Sequence, residues 1–102
     1  MARLIVLPMA EQDIKHSVEW YNEQRIGLGA DFVRVLDDTF SSLSQHPLAF
    51  PLVKLEIRKY VLKDFPYNIF YVYKDKEDTV YVLAVFHVKR NPNVWKKRKI
   101  RK

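Results

Sequence analysis

The sequence has no cysteine and only two glycines among its 102 residues. Without cysteine there is no disulfide framework, no thiol nucleophile and no thiolate metal site. With glycine confined to Gly27 and Gly29, no glycine-rich phosphate loop is present. A serine-nucleophile elbow is missing as well, so nucleotide hydrolysis and acyl transfer find no support. No apolar run approaches the ~20 residues a membrane helix requires. Leu4–Leu7 is too short for the core of a secretion signal, and no small-residue cleavage site follows it. These absences lead to the expectation of a soluble, cytoplasmic protein that works without membrane, metal or cofactor.

What is present points to one folded domain. Six Phe, six Tyr and two Trp, in a chain that is 48% hydrophobic, exclude a disordered protein. A chain of this length buries roughly 60–70% of its unfolded surface, enough for a single core. Charge is placed unevenly. The net +6 is concentrated in Lys89, Arg90, Lys96, Lys97, Arg98, Lys99, Arg101 and Lys102, with no acid among residues 89–102. That stretch carries +8, so residues 1–88 are net −2. We therefore expect a domain over residues 1–95 and a basic C-terminal tail over 96–102, free to meet phosphate, an acidic protein surface or water.

The hydrophobic period changes midway along the chain. Arg3–Leu7 reads as a first strand, and Pro8, which lacks an N–H, suits entry to a helix. Ala10, Ile14, Val18, Tyr21 and Arg25 recur at helical spacing, with Asp13, Glu19 and Glu23 expected to point largely away. The Gly27-Leu28-Gly29 stretch permits a tight turn. A second helix follows, with Phe32, Leu36, Phe40 and Leu43 on its apolar face, and ends at Gln45-His46-Pro47. Leu52–Leu62, Tyr67–Tyr73 and Thr79–Lys89 are rich in Val, Ile, Tyr and Phe and read as three strands with short links, hence an antiparallel meander. The predicted fold is α+β in the order β-α-α-β-β-β, a helical hairpin packed on one face of a mostly antiparallel four-stranded sheet. In the last strand, Val80, Val82, Ala84, Phe86 and Val88 form one expected face, and Tyr81, Leu83, Val85, His87 and Lys89 the other. Both faces are largely apolar. Two helices cover only one face of the sheet, so the other must meet a tail, a partner chain or a substrate. The chain itself reads as too short to hide it.

Few residues suggest chemistry. His16 with Glu19 and Glu23 lacks the i, i+4 histidine pair of a zinc helix, and His46 suits a helix C-terminus. Asp37 and Asp38 diverge by about 100° on a helix and form no acid–base pair. His87, at the end of an apolar strand, is the histidine placed for proton transfer. The stronger constellation is basic: Lys54, Arg58, Lys59 and Lys63 near the first meander strand, Lys89 and Arg90 at the end of the third. Tyr67, Tyr71, Tyr73 and Trp95 are interleaved with them. Cations for phosphate and flat rings for bases are the parts of single-stranded RNA binding.

An ordered set of motifs spans nearly the whole chain. It comprises Ala10 with Asp13-Ile14, Trp20-Tyr21, Gly27-Leu28-Gly29 with Phe32, Pro47, Phe50-Pro51 and Arg58. It continues through Phe65-Pro66-Tyr67-Asn68-Ile69-Phe70-Tyr71, His87, Arg90-Asn91-Pro92 and Trp95. In these the sequence resembles the RelE/ParE superfamily of toxins from type II toxin–antitoxin pairs. The resemblance implies a cognate antitoxin as partner and one of two targets. In the first and leading reading the protein is an endoribonuclease, cleaving mRNA on the ribosome without metal. Arg58, Arg90, His87 and Tyr71 would then be catalytic, and Lys54, Lys59, Lys63, Lys89 and Trp95 would bind substrate. The alternatives are a ParE-like inhibitor that binds DNA gyrase without catalysis, and a member that retains only antitoxin binding. The sequence departs from nuclease relatives at two places. Asn68 stands where many carry Arg, and Trp95 stands near a catalytic Tyr or His. Indole has no useful proton to give or take.

Overall fold

Pro8 divides the first two elements. A computed structural model describes residues 1–91, 93–98 and 100. Strand β1 covers Arg3–Val6, Leu7 stays extended, and Pro8 takes the first position of helix α1, Pro8–Gln24, where its missing N–H costs nothing. Helix α2, Leu28–Gln45, follows after three residues. Gly27 makes that junction at φ +90°, a conformation an L side chain rarely adopts. Gly29 is needed for a different reason. Its N–H donates to Oδ1 of Asn22 at 3.0 Å, and an added Cβ would lie 2.6 Å from that oxygen. The side chain of Asn22 thus satisfies an amide at the start of α2 that the helix itself leaves unpaired.

The helical hairpin packs on one face of a sheet with strand order β1-β5-β4-β3-β2. Here β2 is Leu52–Lys54, β3 Ile57–Val61, β4 Tyr67–Lys74 and β5 Thr79–His87. β1 pairs parallel with β5, and the other pairings are antiparallel. The sheet has five strands where four were expected. The stretch Leu52–Leu62 is not one strand but the hairpin β2–β3, which reverses at Leu55 with φ +49°. Between helices and sheet lie Ala10, Tyr21, Phe32, Leu36, Leu43, Ile69, Tyr71, Val80, Val82 and Val85, all buried. Tyr21, Phe32, Phe65 and Tyr67 form a ring cluster with centroids 4.9–6.1 Å apart.

A bulge in β5 overturns the expected alternation of its faces. Phe70 pairs with Ala84, but the next residue, Tyr71, pairs with Val82, leaving Leu83 as the extra residue. One inserted residue shifts the side-chain phase of everything beyond it. Val80, Val82 and Val85 therefore face the helices. Tyr81, Leu83, Ala84 and Phe86 face away, in a second apolar cluster with Leu7, Phe70 and Val72.

That second face is covered by the chain's own C-terminal segment, which corrects the expectation that the chain is too short to hide it. Helix α3, Asn93–Lys96, lays the indole of Trp95 flat on Phe70, with centroids 3.9 Å apart and an interplanar angle of 18°. Arg98 and Ile100 follow it onto the sheet. The boundary expected at residue 95 is thus crossed by residues that pack on the domain, whereas Lys99, Arg101 and Lys102 of the expected tail lie outside the described residues. No helix among the described residues is long and apolar enough to cross a membrane.

Phe32 is fully buried at the centre of the ring cluster. Phe32→Ala should lower the unfolding free energy by about 3–5 kcal/mol, read from urea denaturation with an unchanged slope.

Candidate functional site

β1 is shorter than β5, and the shortfall creates a site. The parallel ladder runs from Arg3 to Val6, and Leu7 N–H then donates to Val82 O at 3.0 Å. Beyond that point the edge of β5 has no neighbouring strand among the described residues, and its buried amides and carbonyls require other partners. Asp13 of α1 supplies one: its Oδ2 accepts the Val85 N–H at 3.1 Å. Arg98 supplies the other, donating from Nη1 to Leu83 O at 3.0 Å. The same guanidinium grips Asp13 with both ends, Nη1 to Oδ2 at 2.6 Å and Nη2 to Oδ1 at 3.1 Å. Arg90 adds a third cationic contact, Nη1 to Oδ1 at 3.1 Å. Both guanidiniums lie against the ring of Phe86, at 3.9 Å for Arg90 and 4.8 Å for Arg98. Forked, charge-assisted bonds and cation–π contacts are strong where water is excluded. The Arg98 side chain is 6% exposed and that of Asp13 5%, whereas Arg90 keeps 45% of its side chain in solvent.

Sequence reading placed Asp13 on the outer side of α1. It lies instead in a buried stripe with Ala10, Ser17 and Tyr21, whose three- and four-residue spacing was the available signal.

Next to this hub is a cleft of about 320 Å³ on the second face of the sheet, lined in part by Val53, Asn68, Phe70, Phe86 and Val88. Of the expected site residues it brings together Lys59, His87, Arg90 and Trp95, and it adds Lys96. His87 Nδ1 accepts the Lys89 N–H at 3.1 Å, so a neutral ring carries its proton on Nε2. Its ring meets Tyr67 edge-on at 5.3 Å.

The other expected site residues lie elsewhere. Arg58 sits across from Tyr71 on the helix side of the sheet and donates from Nη1 to Phe50 O at 2.7 Å and Leu48 O at 3.3 Å, holding the segment that leads into β2. Tyr71 is fully buried and donates its hydroxyl proton to Pro47 O at 2.9 Å. Burial pushes this phenol up to about 12, against the pull of the Arg58 charge. Lys54 is exposed on the edge strand, Lys63 in the β3–β4 link and Lys89 after β5, and none of the three lines the cleft. Among the described residues no three His, Asp or Glu side chains cluster as metal ligands would. The cleft therefore offers cations, with the His87 ring turned to Tyr67 on the helix side, and among the described residues no carboxylate lines it. Such a lining attracts anions.

Two measurements check this account. Asp13→Ala strands two guanidiniums and the Val85 amide, and should destabilise the fold by about 3–5 kcal/mol in urea unfolding. Tyr71 ionises near 12 when folded and near its ordinary 10 when unfolded. Its contribution to stability is thus complete below pH 10 and lost as pH rises towards 12. Tyr71→Phe should make stability fall less steeply over that range, with Tyr21, also raised to about 12 by burial and by Tyr67, keeping the remaining slope.

The family model for the ParE toxin of type II toxin–antitoxin systems, parDE, matches residues 4–92, which hold β1 to β5 and both long helices. No curated protein matches the sequence. A structure from the chromosomal ParDE toxin–antitoxin system of P. aeruginosa shares the fold with a TM-score of 0.72 at 14% identity, over 85% of this chain and 96% of that one. The isolated RelE toxin of E. coli shares it with a TM-score of 0.67 at 17% identity, over 94% of each chain. Likeness at such low identity is likeness of fold, and the family follows from the match over residues 4–92: this chain belongs to the ParE toxin family and is the toxin of a type II toxin–antitoxin system, with a cognate antitoxin as its partner.

Proposed function

We propose that this toxin arrests growth by binding a protein target, DNA gyrase, and not by cutting mRNA. The observation that carries the reading is that the expected nuclease residues are not gathered at the cleft, with Arg90 beside it and the side chains of Arg58, Tyr71 and His87 on the helix side of the sheet. Attack of a 2′-hydroxyl on the adjacent phosphate needs a base to take one proton, an acid to give another, and cations on the phosphate, all within hydrogen-bond reach. Tyr71 and Arg58 are on the helix side, one buried against Pro47 O and the other tied to Phe50 O and Leu48 O. His87 is the remaining proton carrier, and its ring lies on the helix side against Tyr67. Its Nδ1 is occupied by the Lys89 N–H, so the neutral ring has a proton to give but no free lone pair with which to take one. Trp95 is flat against Phe70 and 3% exposed, which leaves no ring face for a base. Cations without an acid–base pair favour binding over catalysis. The family match favours a ParE-like target.

The test compares the two activities directly. Purified toxin should inhibit supercoiling by DNA gyrase, and mRNA recovered within minutes of inducing the toxin should keep its ends intact. Cuts at defined sites within coding sequence, with supercoiling unaffected, would return the protein to the nuclease branch.

A further inference from the structure

We propose that the sheet edge carrying Leu48, Leu52 and Leu55 is the surface with which this toxin grips DNA gyrase, seated in an apolar groove with an acidic rim. This rests on the target reading above and adds the part of the toxin that makes the contact.

Strand β2 is the last in the sheet order, so its outer side has no neighbouring strand among the described residues. Free edges are ordinarily short and polar. This one is short but apolar, with Leu48 63% exposed, Leu52 55% and Leu55 85%. Leu55 is the clearest case. It turns the chain from β2 into β3 at φ +49°, a conformation that Gly, Asn or Asp adopts at less cost than Leu. Burial does not compensate, because the side chain stands in water. A bulky apolar residue that strains the backbone and stays exposed serves something outside the fold.

The segment leading to this turn is fixed from beneath. The carbonyls of Pro47, Leu48, Phe50 and Pro51 accept, in order, from the Tyr71 hydroxyl at 2.9 Å, Arg58 Nη1 at 3.3 and 2.7 Å, and the Lys59 N–H at 3.0 Å. Phe50 meets Tyr60 edge-on, with centroids 4.8 Å apart. Arg58 and Tyr71, expected to be catalytic, thus hold the backbone from which Leu48 and Leu52 project. Side chains shown from a fixed backbone lose less freedom when a partner binds them.

Charge sets the chemistry of that partner. Lys54, between Leu52 and Leu55, and Arg58 have no carboxylate partner among the described residues, whereas Glu56 is matched by Lys74 at 2.7 Å. An apolar edge with unbalanced positive charge fits an apolar groove bordered by Asp or Glu. A nucleic-acid strand needs open ring faces, and Phe50 and Tyr60 at this edge are turned on each other. A second copy meeting the same edge would set Lys54 against like charge.

The experiment titrates full-length toxin against supercoiling by gyrase and, separately, against the cognate antitoxin. Leu48→Gln, Leu52→Thr and Leu55→Asn should each raise the concentration for half-inhibition about tenfold. Leu55→Asn should do so with a urea midpoint as high as the wild type's or higher, since Asn takes a positive φ more readily. Lys54→Glu should weaken inhibition most at low salt. Ile26→Gln removes an exposed apolar side chain from the turn between α1 and α2, and should change inhibition less than about twofold. Inhibition by the wild type that all three leucine variants retain would overturn this inference and leave the target reading standing. A wild-type toxin that does not inhibit gyrase would remove both. Antitoxin affinity lost while inhibition is unchanged would assign the edge to the antitoxin. A dimer in sedimentation that Leu55→Asn dissolves would assign it to a second copy. Either result overturns the proposal.

Discussion

A single buried carboxylate joins the three parts of this molecule. Asp13 leaves helix α1, reaches the edge of β5 at Val85, and receives guanidiniums from both Arg90 and Arg98. The reason for its position is geometric. β1 is only four residues long and β5 is nine, so the parallel pair runs out while β5 still has peptide groups to satisfy. Side chains take over where a strand is missing. A charge buried in this way is held by its partners, because removing any one of them leaves the others without compensation. The second face of the sheet, the placement of Arg90 beside the cleft, and the seating of the C-terminal segment all follow from that arrangement.

Much of the architecture could be read from periodicity, because long helices and half-buried strands leave a repeating mark. Ala10, Ile14, Val18 and Tyr21 announced α1, Phe32 and Leu36 announced α2, and Gly27 marked the junction. The misreadings have physical causes. The bulge at Leu83 is silent in the sequence because both faces of β5 are apolar, so no polar residue betrays the change of phase. Leu55 reverses the chain with a positive φ although it is not Gly, Asn or Asp, which is why β2 and β3 read as one strand.

The site was harder to read than the fold. Arg58 and Lys59 are sequence neighbours, so the pleat sends them to opposite faces, and only register shows which one reaches the cleft. Tyr71 reads like an accessible tyrosine, yet the core closes around it. Arg98 belongs to a run of cations, which composition assigns to solvent. Its burial depends on Asp13, 85 positions earlier, and no local pattern carries that information. The division of labour between the two faces follows. Residues on the helix side maintain the fold, and those on the other side, where the C-terminal segment lies, present charge.

The parallel pairing of β1 with β5 has a consequence for the birth of the molecule. During synthesis β1 emerges first, but its partner strand comes far later, Arg3 pairing with Thr79, and the clamp on Asp13 waits longer still for Arg98. Contacts so distant along the chain close slowly. A nascent chain that has displayed both helices is therefore still without its finished sheet edge.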